Sequence, residues 1–458
     1  MAPEPDRPAL REREVAHGNG TDLASGGVPT PEATNGATAV ASPPLPPRKP
    51  RLFLRTFDSL GDRAFRWYFY SMCGWFAAMN MQMVVRGWLV FNLTGSYAAL
   101  GLVSLANAIP GLLLSLPGGV VADKVMKKRA VQLGQVLNMA TAFVLAALMI
   151  GGLIEFWHLL LGAVAQGGVN AIIMPSRQSM IPEFIEDDRL MNAIALNTAA
   201  VNVMRLIAPA FGGLMLAVTG PGWVYLVIAS LYLWSGVTLG PVPGKKPAPS
   251  AQQTIPGAVR DGLREIALGL RYIRGQRVVL LVLSLNLAIV LFSQPYQMLL
   301  PGFATDVLGA GPGRLGILMS ATGIGALVGS LLIASMPSRK RGLILMISAL
   351  VMGAALIAFS VSTWYWVTLP IMMVIGFGQS GRMSLGSVLL QSYTEPAYRG
   401  RVMSIYMLEF SLMAFMVFVV GFVANFLGIQ LALGVSSAIL LMIVLGALVL
   451  SPRARNLD

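Results

Sequence analysis

Charged and amide side chains interrupt apolar stretches of the chain that run for roughly 20 residues each. Glu409 lies about two turns inside one of them, and no other acid sits as deep. Arg86, Arg205 and Arg382 are bases at similar depth in three others. Amides and hydroxyls accompany them at helical spacing. Gln82 shares a face with Arg86, Gln166 and Asn170 with Arg177, and Thr198 and Asn202 with Arg205. Further along, Asn286, Ser293 and Gln297 share a face, as do Gln379 and Arg382. A charge in hydrocarbon is costly and asks for a partner or a wet cavity. A buried carboxyl that trades an arginine for a proton can couple proton flow to motion. The opposing reading is a static Glu409–Arg382 pair that holds two helices together, and buried pairs are often structural. Both readings stay open here. The plainer role for a single Asn or Gln is a helix–helix hydrogen bond. Arg177 lies toward the end of its stretch, where a long side chain can snorkel.

This residue set is not that of an enzyme. The two histidines are His17, in a polar tail, and His158, near a helix end. Cys73 is the single cysteine, so there is no intramolecular disulfide and no cysteine zinc site. No metal-ligand cluster and no phosphate-binding Gly-x-x-x-x-Gly-Lys-Ser/Thr sequence occurs, so neither metal nor cofactor is expected. Any driving force would come from a gradient.

The elements that position these residues are membrane helices. Hydrophobic residues make up 55% of the 458, and charged residues only 12%, about half the share of a soluble domain. About twelve segments are long enough to span a bilayer. They are predicted at Trp67–Asn92, Tyr97–Ala122, Ala130–Gly151, Phe156–Met180, Leu190–Thr219, Trp223–Pro241, Val278–Phe303, Leu315–Met336, Leu343–Val361, Trp364–Gln391, Val402–Leu427 and Gln430–Leu450. The formal net charge of +13 is gathered in alternate loops, which points to cytoplasmic loops and not to nucleic acid. Both termini then lie inside. Residues 1–50 read as a disordered tail rich in Pro, Ala, Gly and Thr, and 451–458 as a short cytoplasmic tail. Residues 51–241 and 277–450 are two six-helix halves, joined by 242–276. In that linker Val259, Leu263, Ile266, Leu270 and Ile273 form an apolar stripe flanked by Arg260, Arg264, Arg271 and Arg274. It reads as an amphipathic helix on the inner membrane surface, against the alternative of a solvated linker helix.

The halves repeat in parallel. Leu100-Gly101-Leu102-Val103 pairs with Leu315-Gly316-Ile317-Leu318, and Arg189-Leu190-Met191-Asn192 with Arg401-Val402-Met403-Ser404. In the first register Asp123-Lys124 meets Ser338-Arg339, so the second copy keeps a base and lacks the acid. The stretch around Asp123, from Gly118 to Arg129, resembles the signature loop of the major facilitator superfamily, Gly-x-Leu-Ala-Asp-Arg-x-Gly-Arg-Arg. Gly119, Ala122, Asp123, Lys127 and Lys128 match it, Lys124 replaces an Arg, and Met126 stands where the family has a second Gly. Ala208-Pro209-Ala210-Phe211-Gly212-Gly213 resembles the end of the Gly-Pro-x-x-Gly-Gly motif of drug/proton antiporters, with helix packing by small residues as the alternative. Trp88–Ser96, Pro175-Ser176-Arg177-Gln178, Leu190–Ala193 and Arg399–Ser404 resemble the bacterial branch similar to the enterobactin exporter and macrolide-efflux proteins.

The resemblance implies an all-α fold of twelve membrane helices in two pseudo-symmetric halves, a monomer in the bacterial inner membrane. It implies a secondary transporter whose cavity is lined by helices one, four, seven and ten, with Asp123 gating against the start of helix eleven near Arg401. Its expected partners are the bilayer, a small-molecule substrate and protons. Proton-coupled efflux of an amphipathic compound, drug or siderophore-like, is the leading expectation. Nutrient uptake is the alternative, followed distantly by a membrane enzyme or a transport-dead scaffold.

Overall fold

Hydrocarbon offers no partner to backbone N–H and C=O groups, so each long apolar run must satisfy its own ladder as a helix. The computed structural model describes residues 58–458 except 125, 186, 245–254, 337–339, 452–454, 456 and 458; the side chains of 58, 115–124, 182, 184, 187–188, 255–259, 263 and 410 are likewise outside the description. The expected tail at 1–50, residues 245–254 of the segment joining the halves, and the side chains of Asp123 and Lys124 with the Gly119 position thus lie outside the described residues.

The helices are α1 (Arg63–Thr94), α2 (Tyr97–Lys124), α3 (Lys127–Ile150), α4 (Phe156–Gln178), α5 (Asp187–Thr219) and α6 (Pro221–Thr238). A linker helix, Ile255–Gly275, follows. Then come α7a (Arg277–Ser293), α7b (Pro295–Asp306), α8 (Pro312–Ser335), α9 (Arg341–Val361), α10 (Tyr365–Tyr393), α11a (Arg399–Met407), α11b (Glu409–Leu427) and α12 (Ile429–Leu450). Among the described residues, nine helices are long and apolar enough to cross a membrane. Local signals set the ends. Asp62 accepts from the Phe65 N–H at 2.8 Å to start α1, and Gly95 closes it with a left-handed φ of 59°. Pro221 and Pro312 open α6 and α8, where a missing N–H costs nothing. Met126 caps α3 with φ −56°, so the signature loop needs no glycine at that position.

Two predicted helices are not continuous. The seventh breaks at Gln294, because Pro295 has no N–H to give the preceding turn. The eleventh breaks at Leu408, where three-residue turns link Leu408 to Ile405 and Ser411 to Leu408. Glu409 is therefore the first residue of α11b, at a discontinuity and not in mid-helix.

Packing repeats between the halves. The α2–α4 contact has its counterpart in α8–α10, α3–α6 in α9–α12, and α2–α11b in α5–α8. The close approaches repeat too. A Cβ on Gly167 would fall 1.9 Å from the Asn107 carbonyl oxygen, and one on Gly376 would fall 2.0 Å from that of Thr322. Asn107 and Thr322 are equivalent in the register that pairs Leu100 with Leu315.

Candidate functional site

The polar residues of α1 and α4 meet in one network with α6. Gln166 donates to Gln82 at 2.7 Å and accepts from Arg86 Nη1 at 2.7 Å. Tyr232 of α6 donates to the same Gln82 oxygen at 2.8 Å. The amides are buried and Arg86 is half-buried, so the network anchors the guanidinium without covering it. Tyr232 was not expected, because α6 reads as a plain apolar helix.

In the other half, Arg382 of α10 and Glu409 of α11b form an ion pair at 3.6 Å, both buried. Glu409 Oε1 and Arg382 Nε have no hydrogen-bond partner in the structure, so each group keeps binding capacity in reserve. Gln379 donates to Gln294 at 3.3 Å. The partner is thus the residue before Pro295 and not Gln297, which is half-buried. Asn286 is buried, donates to the Val282 carbonyl at 2.9 Å within its own helix, and leaves Oδ1 unpartnered. Asn170 and Asn202 are half-buried, and Asn170 Oδ1 has no partner.

Arg205 of α5 is exposed and reaches across to α10, its Nη1 lying 3.9 Å from Met383 Sδ. Two bases from opposite halves, Arg205 and Arg382, are thereby brought near one another. Among the described residues, no carboxylate pairs with Arg86, Arg177 or Arg205. Among the described residues of these helices, guanidinium (Arg86, Arg177, Arg205 and Arg382) is in excess over carboxylate (Glu409).

Arg177 corrects the expectation that it snorkels. It is 1% exposed, stacks on Trp75 at 4.9 Å, and donates to Ser71 and Ser235 at 3.2 and 2.8 Å. It ties α1, α4 and α6 together. Gln132 of α3 also faces a neighbour rather than a cavity, donating to the Gly236 carbonyl of α6 at 3.2 Å.

The signature-loop lysines bind within their own half. Lys127 pairs with Glu183 at 2.7 Å, and Lys128 donates to the Gly240 carbonyl at 2.5 Å. Arg401, at the start of α11a, is forked onto Glu265 of the linker helix through Nε and, at 3.2 Å, Nη2. Hydrogen bonds from Arg401 hold the Glu265 carboxyl below the ordinary carboxylate range. The Glu265 carboxylate is therefore ionised at neutral pH, and what the charge adds to the pair is lost as pH falls through that lowered value. The antiporter-like motif packs helices. Gly213 lies against the Pro312 carbonyl of α8, where a Cβ would be 2.5 Å away, the Pro209 carbonyl faces Gly316, and Gly212 faces Met81.

At the end of the bundle away from these bases the halves interlock. Asn425 of α11b accepts from the Tyr97 N–H at 2.9 Å and donates to Ser96 at 2.9 Å. The Tyr97 hydroxyl donates to Asp306 of α7b at 2.9 Å. Sequence reasoning missed this cluster, since each member sits at the edge of a span where polar residues are ordinary.

The profile of a family described as transmembrane secretion effector matches residues 55–457. The staphyloferrin A transporter of Staphylococcus aureus is 23% identical over 353 residues, 75% of this chain and 85% of that one. The enterobactin exporter EntS of Shigella boydii is 24% identical over 298 residues, 62% of this chain and 67% of that one. Among solved structures, a POT family transporter in complex with 5-aminolevulinic acid superposes with a TM-score of 0.68 at 14% identity, over 86% of this chain and 96% of that one. The nucleoside transporter NupG does so with a TM-score of 0.67 at 15% identity, over 85% and 100%.

Proposed function

The chain belongs to the transmembrane secretion effector family of the major facilitator superfamily, and from this membership we propose that it exports an amphipathic organic compound in exchange for protons. It is a membrane transporter and not an enzyme. The observation that carries the proton half is the buried Arg382–Glu409 pair at the break of the eleventh helix. A carboxyl there can exchange its guanidinium for a proton with little backbone movement, and protonation removes a charge before the halves rock. The excess of guanidinium over carboxylate favours a substrate with an anionic group, and siderophores, which the relatives' names specify, are the compounds to try first. Arg86, Arg205, Gln82, Gln166, Asn170, Asn202, Asn286, Gln297 and Gln379 are the proposed cavity side chains.

Inside-out vesicles test this reading. An outwardly acting exporter accumulates its compound in them when their lumen is acidified, and an uptake protein does not. Glu409→Gln should abolish gradient-driven accumulation and keep substrate exchange. Normal gradient-driven transport by that variant removes Glu409 from coupling, and failure to fold favours the static pair. On the charge of the loops, both termini face the cytoplasm and the Ser96–Asn425 end faces outward. Asp123 is assigned the gate, its carboxylate drawn to the N-terminal end of α11a near Arg401. Asp123→Asn should slow transport at least several-fold with insertion unchanged, and equal rates would remove the gate.

A further inference from the structure

The linker helix is more than a connection. It packs against α2, α7a and α11a. Three contacts of different chemistry fasten it to the start of the eleventh helix. Glu265 takes the Arg401 guanidinium in a fork. Tyr272 stacks on Tyr398 with ring centres 4.2 Å apart and 7° between planes, and its hydroxyl accepts from the Glu395 N–H at 3.2 Å. Gly269 brings the two backbones together, so that a Cβ there would meet Ile405 at 2.9 Å and Arg401 at 3.2 Å. The Arg401 guanidinium also lies over the Tyr398 ring at 5.1 Å. A cleft bordered by Gly262, Glu265, Ala397, Gly400 and Ser404 remains open beside the fork.

The Glu265 and Arg401 side chains are 50% and 29% exposed, so water competes for both. An exposed pair is weak glue, but its partners can separate and re-form. Its position is what matters. α11b packs on α2 toward the Ser96–Asn425 closure, so a hold on α11a acts at the opposite end of the helix that closes the bundle.

We propose that Glu265 is a positioning residue of the transport cycle: it latches Arg401, and with it the start of α11, to the linker helix while the Ser96–Asn425 end is closed, and releases it when that end opens. The proposal rests on the alternation assigned above. Arg401 stands at the helix start to which that reading sends Asp123, so the two carboxylates compete for the same end of α11a. Glu265 then weights the two states without touching substrate.

Spin labels at Leu93 and Phe426, both exposed and on opposite halves beside the closure, report its opening as a distance distribution in liposomes carrying the full chain. Glu265→Gln should raise the long-distance population roughly two- to fivefold, the range an exposed pair can supply, with Tm unchanged. The double variant Glu265→Arg with Arg401→Glu rebuilds the pair and should bring the long-distance population back to the parent level or below it. Two populations in the parent with a ratio that Glu265→Gln leaves unmoved overturns the latch alone. A lower Tm with the ratio unmoved assigns the pair to static bracing and also overturns it. A single distance in the parent from pH 5.5 to 8.5 overturns the latch and the alternation together.

Discussion

Single residues in this protein divide into those that must be small and those that must be charged. The small ones are the sharper test. Gly167 and Gly376 let a backbone carbonyl of the neighbouring helix come where a methyl group would otherwise be. Gly167→Ala has no flexible side chain to push aside, so α2 and α4 must part. The expected cost is about 1–3 kcal/mol, as for other overpacked sites, read as a lower Tm in detergent. Gly446→Ala, where nothing lies within 4 Å, should leave Tm within experimental error. Equal behaviour of the two variants would show that the α2–α4 approach is not tight. The charged residues were only half legible in the sequence. Glu409 stood out because no other acid is so deep, and Arg382 because it is in the adjacent helix. Arg177 was misread because position along a span says nothing about which neighbours surround it. Trp75, Ser71 and Ser235 come from two other helices, and only the fold gathers them.

At the scale of elements, apolar length placed the helices to within a few residues, because the bilayer demands it and because caps such as Asp62 and Gly95 are local. Breaks within a span were not legible. Membrane helices tolerate proline, so Pro295 in an apolar run gave no reason to divide the seventh. The break does something specific: it turns Gln294 toward Gln379 of α10. Restoring the missing N–H should heal the helix. Pro295→Ala is expected to raise Tm and to lower transport several-fold by withdrawing Gln294, whereas Pro301→Ala, further along α7b, should leave the Gln294–Gln379 contact and its transport unaffected. Comparable losses in both variants would mean that the bend at Gln294 has no special role.

At the scale of the whole molecule, described residues of the two halves are hydrogen-bonded to one another at one end. The repeat in the sequence announced two similar halves but not which end of them is shut, since both states of a rocking bundle use the same repeated helices. The closure is built from residues that are individually unremarkable in sequence: Ser96 after a helix end, Tyr97 at a helix start, and Asn425 near the end of α11b. Its bonds cross from one half to the other, so alternation requires them to break in every cycle. With Cys73→Ser removing the native thiol, Ser96→Cys together with Asn425→Cys places two thiols where a hydroxyl and an amide now share a hydrogen bond of 2.9 Å. Oxidation should join the halves, shift the band on a gel after cleavage in the linker, and stop transport nearly completely. Reductant should restore it. A fully cross-linked protein that still transports would mean that this end stays shut throughout the cycle, and the rocking of the halves would have to be abandoned.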